Sequence, residues 1–182
     1  MKRISRFILR AFGWNIYSKV SLEIPRAVII MAPHTSNWDF VIGRMAFYQY
    51  GITPKILIKK EAFKPVIGPL LRWLGGVPVD RGHSQNTVKK ITSQFEQHER
   101  FYLLITPEGT RRRVERWKKG FYFIALRAKV PIFLGFLDYR NKEGGVGKLI
   151  YPSGDFEKDF QEIEAFYRDK TAKNPERFNL SE

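Results

Sequence analysis

The stretch Ala27-Val28-Ile29-Ile30-Met31-Ala32-Pro33-His34-Thr35-Ser36-Asn37-Trp38-Asp39 decides the fold. Residues 27–32 form an unbroken apolar run of strand length, and continuity rather than alternation predicts a strand buried on both faces. Thr35, Ser36 and Asn37 are all good helix N-caps, and Phe40, Val41, Met45, Phe47 and Tyr48 predict a helix running to about Tyr50. Strand, short loop and helix in that order form the unit at whose strand ends α/β proteins place their sites.

Working outward, the same alternation continues. Strands are expected at 55–58, 77–80, 101–106, 132–138 and 148–151, with helices at 63–74, 85–98 and 117–129. Asn141-Lys142-Glu143-Gly144-Gly145 has the composition of a hairpin turn between the last two strands. Phe156, Phe160, Ile163 and Tyr167 then mark one stripe of a final helix. The expected fold class is an α/β sandwich, a largely parallel, mixed sheet flanked by helices with an antiparallel edge.

At 182 residues, 43% of them hydrophobic, the chain suits one globular domain with a sizeable core. Lys and Arg number 32 against 18 Asp and Glu, a formal +14 that would attract nucleic acid, anionic lipid or a polyanionic substrate. Sign alone does not choose among these. Without cysteine there is no disulfide, thiolate nucleophile or Cys-based metal site. The longest apolar stretch, 121–137, is interrupted by Arg127 and Lys129 and falls short of a membrane span.

The basic excess is unevenly placed. Residues 1–20 carry Lys2, Arg3, Arg6, Arg10 and Lys19 with no acid, and Ile4, Phe7, Ile8, Ala11 and Phe12 recur there at helical spacing. Two units are therefore expected: a basic amphipathic, membrane-associating helix over 1–20 and a single domain over 21–182. A helix that merely packs on the domain fits the same pattern.

Two short signatures carry the chemistry. Five residues along a helix is about 140° of rotation, so His34 and Asp39 can meet only if His34 lies on the loop and its ring folds back over the first helical turn. Asp39 would then hold one imidazole nitrogen and leave the other as a general base. Taken alone, the pair also fits a hydrogen-bonded loop histidine and a helix-start acid. The second signature, Pro107-Glu108-Gly109-Thr110-Arg111, follows the 101–106 strand; its glycine permits close backbone approach, and Arg111 can hold a phosphate bidentately. Lys60 and Arg81 follow other strand ends and add cations to that edge. The three histidines, His34, His83 and His98, lack paired ligand spacing, so no metal is expected.

These blocks together resemble the 1-acylglycerol-3-phosphate acyltransferase family across residues 29–135. His34 and Asp39 match its H-x-x-x-x-D block, Gly75 to Arg81 is similar to its G-x-x-x-x-D-R block, Pro107 to Arg111 matches P-E-G-T-R, and Val130-Pro131-Ile132 matches V-P-I. The chain departs from the pattern at Pro33, where Asn is usual, at Thr106, where Phe is usual, and at Phe133-Leu134-Gly135, which lacks a second proline.

The resemblance implies direct transfer of a fatty acyl group from an acyl thioester, acyl-CoA or acyl-ACP, to the hydroxyl of a lysophospholipid such as 1-acyl-sn-glycerol-3-phosphate. His34 would be the base and Asp39 its orienter. Arg81 and Arg111 would bind the acceptor phosphate with Lys60 as a further candidate, Glu108 would position acceptor hydroxyls, and Gly109 and Thr110 would shape the turn. No cofactor or metal is implied. The expected place is cytoplasmic, peripheral to the cytoplasmic face of a membrane, with no nucleic-acid partner. Another lyso-lipid or an amino-acid lipid as acceptor, a thioester hydrolase, and a basic module binding nucleic acid or anionic membrane without catalysis are the alternatives.

Overall fold

In the computed structural model, which describes residues 2–79 and 84–180, the run at 27–32 becomes strand β2 (Arg26–Met31), fourth of seven in a mixed sheet. Its alternate side chains face opposite ways: Val28 and Ile30 enter one core, Ala27, Ile29 and Met31 the other, with relative exposure between 0% and 6%. That two-sided burial is the reason its sequence does not alternate.

The other strands are β1 (Asn15–Ser18), β3 (Lys55–Lys59), β4 (Gly76–Val79), β5 (Phe101–Ile105), β6 (Ile132–Asp138) and β7 (Glu143–Ile150), in spatial order β1-β7-β6-β2-β5-β3-β4. β2, β3, β4, β5 and β6 run parallel. β7 turns back against β6, and β1 pairs parallel to β7. The C-terminal ends of β2, β3, β4 and β5 therefore share one edge, the edge that carries residues 34, 60 and 107–111.

Helices α1 (Lys2–Ala11), α2 (Asn37–Tyr50) and α3 (Gly68–Trp73) form one layer. Leu9 of α1 shares a core with Ile42, Ala46 and Phe47 of α2. The step from β3 to β4 continues outward in the direction of the step from β2 to β3, so a right-handed crossover puts α3 beside α2; Arg44 of α2 accordingly approaches Gly75. Helices α4 (Ser84–Gln97), α5 (Gly120–Ala128) and α6 (Phe156–Tyr167) cover the opposite face through Ile91, Phe95, Phe121, Ile124, Phe160 and Ile163.

Four expectations are corrected. The 1–20 segment is not one helix: α1 ends at Ala11 and Asn15–Ser18 joins the sheet as β1, with Trp14 and Ile16 in the core. The expected helix at 63–74 shrinks to Gly68–Trp73, because Pro65 and Pro69 each lack an amide hydrogen and Pro69 fits only in a first helical turn. The helix expected from residue 117 begins at Gly120, and the Lys118 N–H ties the segment ahead of it to the Pro107 carbonyl, 2.9 Å. Gly144 and Gly145 lie within β7 rather than in the turn, which spans residues 139–142.

Close approach of β1 is what demands Gly145, while a Cβ on Gly144 would meet Leu137 of β6 at 2.6 Å. Gly145 has φ +138, and a Cβ there would stand 1.7 Å from the Tyr17 carbonyl oxygen. Gly145→Ala should therefore cost about 2–3 kcal/mol by displacing β1, measured by denaturant unfolding with an unchanged slope; a loss under 0.5 kcal/mol would contradict the packing.

Candidate active site

The dyad is built by a helix cap. Ser36 takes the extended backbone of an N-cap at φ −143, its hydroxyl accepts the Trp38 N–H at 3.2 Å, and Asp39 reaches back to accept the Ser36 N–H at 2.8 Å. This reciprocal capping box fixes the first turn of α2. The same Asp39 Oδ2 accepts the Thr35 N–H at 2.8 Å and lies 3.3 Å from His34 Nδ1. The ring folds back from the loop over the helix start. The His34 side chain keeps 18% of its surface open while that of Asp39 keeps 1%.

Burial pushes the Asp39 carboxyl up, but hydrogen bonds from His34, Tyr139 and the Ser36 N–H outweigh it and hold the group below its ordinary 3.8. Asp39 is thus an anion at neutral pH. With Nδ1 turned to that anion, Nε2 is the nitrogen available for proton transfer.

Glu108 has a different place from the one expected of a residue contacting acceptor hydroxyls. It is 4% exposed and lies beneath the loop, its Oε1 accepting the His34 backbone N–H at 2.8 Å. Burial raises its carboxyl to about 8, partly offset by N–H bonds from His34 and Glu108 itself, with the Asp39 charge pushing it further up. Gly109 stands at φ +67 and Lys118 approaches its α-carbon, so the turn needs glycine. Thr110 Oγ1 accepts the Arg112 N–H at 3.3 Å and closes the turn.

Arg111 is brought to the dyad: its Nη1 donates to Asn37 Oδ1 on the first turn of α2. Lys60 stands exposed just past β3, separated from β2 by β5. Arg81 lies outside the described residues, as do Asp80 and His83. Among the described residues, no three His, Asp or Glu side chains converge as metal ligands.

The Acyltransferase family model matches residues 15–133, more than half the chain. The chain belongs to the acyltransferase family. Comparison with curated proteins and with solved structures found no match. The family's matched span contains the dyad, Lys60, the 108–111 turn and β2 through β5.

Several contacts were not readable from the motifs. The Tyr139 hydroxyl donates to Asp39 Oδ1 at 2.6 Å, and Asn174 donates to Thr35 through its backbone N–H, 3.1 Å to Oγ1, and its Nδ2, 2.9 Å to the carbonyl. Both come from a hundred residues or more down the chain, where periodicity and spacing carry no signal.

The raised Glu108 carboxyl has a thermodynamic consequence. Because its folded value exceeds the unfolded 4.5, the folded state binds the extra proton, and the associated stability is full below 4.5 and drains away as pH rises through about 8. Glu108→Gln keeps an acceptor for the His34 N–H and removes the titration. The stability of the variant relative to the wild type should climb with pH across that window in denaturant titrations; a constant difference would refute the buried-acid assignment.

Proposed function

We propose that this acyltransferase moves a fatty acyl group from an acyl thioester, on coenzyme A or acyl carrier protein, to the hydroxyl of a lysophospholipid, with 1-acyl-sn-glycerol-3-phosphate the leading acceptor. The observation that carries the reading is the 3.3 Å approach of His34 Nδ1 to the ionised Asp39, which leaves Nε2 as the nitrogen for proton transfer. His34 Nε2 takes the acceptor proton as the acceptor oxygen attacks the thioester carbonyl. The tetrahedral oxyanion collapses, the carbon–sulfur bond breaks, and the imidazolium returns its proton to the departing thiolate. No acyl-enzyme intermediate is required. Arg111, held by Asn37 one turn from Asp39, supplies positive charge for the acceptor phosphate, and Arg81 and Lys60 belong to the same reading as further cations.

The test is thiol release from an acyl-coenzyme A with and without lysophosphatidic acid. His34→Ala should lose at least about a thousandfold in kcat and Arg111→Ala should raise the acceptor KM. Release independent of any acceptor would mark a thioesterase, and full activity in His34→Ala would remove the base.

The reading includes a membrane partner, at the cytoplasmic face. Of the twelve large apolar side chains exposed among the described residues, ten lie on the layer of α1, α2 and α3: Ile4, Phe7 and Phe12; Trp38, Phe40 and Val41; Val66, Ile67, Leu70 and Trp73. The apolar stripe of α1 faces outward, while its buried positions are Ser5 and Leu9. Lys2, Arg3, Arg6 and Arg10 of α1, with Arg72 in α3 and Lys64 beside it, are exposed on the same elements and suit an anionic bilayer surface. Among the described residues no helix is long and apolar enough to cross a membrane. Deleting α1 would open the core at Leu9, so substitution is the cleaner probe. Phe7→Asp with Leu70→Asp should cut sedimentation with phosphatidylglycerol vesicles more than about tenfold, and Phe123→Asp on the opposite layer should leave it intact; equal binding by all three proteins would refute the surface.

A further inference from the structure

The family match ends at residue 133, yet the chain beyond it returns to the dyad twice. The first return is Tyr139, immediately after β6. The two Asp39 oxygens have separate duties: Oδ2 serves Thr35, Ser36 and His34, and Oδ1 accepts the Tyr139 hydroxyl at 2.6 Å. Tyr139 is itself held. Its ring meets Trp14 edge-on, centroids 5.0 Å apart at 90°, and its N–H donates to the Thr171 carbonyl at 2.9 Å.

The second return is the segment after α6. Thr171 is tied back to Asp138 Oδ1, 3.4 Å, and three residues later Asn174 holds both the hydroxyl and the carbonyl of Thr35, the residue after His34. One connected network thus runs from the end of β6 through Thr171 to the loop that carries the base.

We propose that Tyr139 and Asn174 are positioning residues of the dyad, Tyr139 fixing the rotation of the Asp39 carboxylate and Asn174 fixing the Thr35 peptide beside His34. The inference rests on the reading of His34 as base. A carboxylate bonded through one oxygen can pivot about its terminal torsion, and a pivot moves Oδ2 off Nδ1. A short, charge-assisted bond to the second oxygen removes that freedom. The titratable groups facing Asp39 are His34 on its own loop, Glu108 beneath the loop and Tyr139. The Tyr139 bond is among those that hold Asp39 low, and Asp39 with burial pushes the Tyr139 hydroxyl up, so that it stays a donor.

Tyr139→Phe keeps the ring on Trp14 and deletes only the donor. In the acyl-coenzyme A and lysophosphatidic acid assay, kcat should fall about tenfold with both KM values within about twofold. The acid side of the rate profile should move upward, because an Asp39 carboxylate that no longer shares its charge with the Tyr139 hydroxyl holds a proton on the His34–Asp39 pair more strongly. Asn174→Ala should lower kcat alone by a similar factor. Carbon-13 titration of the Asp39 carboxyl, independent of turnover, should also move upward in Tyr139→Phe. Unchanged kcat in both variants, or a lower melting temperature without a shift in rate profile or carboxyl titration, would overturn the proposal. An active His34→Ala would instead overturn the base reading, while the carboxyl titration would still report on the Tyr139 bond.

Discussion

A buried carboxylate is expensive unless several donors converge on it, and Asp39 is where this molecule concentrates them. Two backbone N–H groups, an imidazole and a phenol meet one side chain that is 1% exposed. The consequences spread in both directions along the chain. Toward the C-terminus, the same bonds cap α2 and so fix where the helix starts. Toward the N-terminus, they hold the short loop from β2, a strand buried on both faces in the centre of the sheet. Helix capping and imidazole orientation thus draw on a single negative charge.

That charge survives next to a second carboxylate because the environments differ. Glu108 accepts the His34 N–H through Oε1, its Oε2 is buried without a hydrogen-bond partner, and burial holds its proton to about 8. Asp39 has the donors and stays ionised. Were both charged, each would raise the cost of the other; a neutral Glu108 supports the loop without opposing the anion. The two acids of the two signature motifs therefore divide into an orienter and a support, and only the former touches the imidazole.

The sequence showed the α/β class, the strand at 27–32, the strand at 132–138 and the dyad geometry, because each rests on local patterning: continuous burial, N-cap chemistry, a five-residue spacing. It concealed what long-range pairing decides. β1 has only four residues and lies between an amphipathic helix and the 19–25 loop, so its strand character comes from β7. Gly144 and Gly145 have turn composition, but Gly145 admits β1 and Gly144 admits Leu137 of β6. The site shows the same division. His34, Asp39 and Arg111 are legible as motif letters, whereas Glu108 beneath the loop and Tyr139 above it are fixed by tertiary placement. A motif records which residue types occur together and is silent on which way each side chain turns.

The apolar patch and the dyad meet on α2. Asn37 holds Arg111, Trp38 is 55% exposed beneath the Lys173 ammonium at 5.1 Å, Asp39 points inward to His34, and Phe40 and Val41 continue the exposed apolar surface. Successive residues of one helical turn therefore face Arg111, the patch and His34. The opposite layer carries Phe123 among the exposed large apolar side chains, and its Glu157 and Glu162 are paired with Lys119 and Lys148. On the proposed reading this asymmetry leaves one orientation at a bilayer, with α1, α2 and α3 toward the lipid. A lysolipid in that leaflet would then bring its headgroup to Arg111 while its acyl chain stays among apolar groups. The cost of drawing a lipid tail into water, about 0.8 kcal/mol per methylene, would be avoided by the placement of one turn of helix.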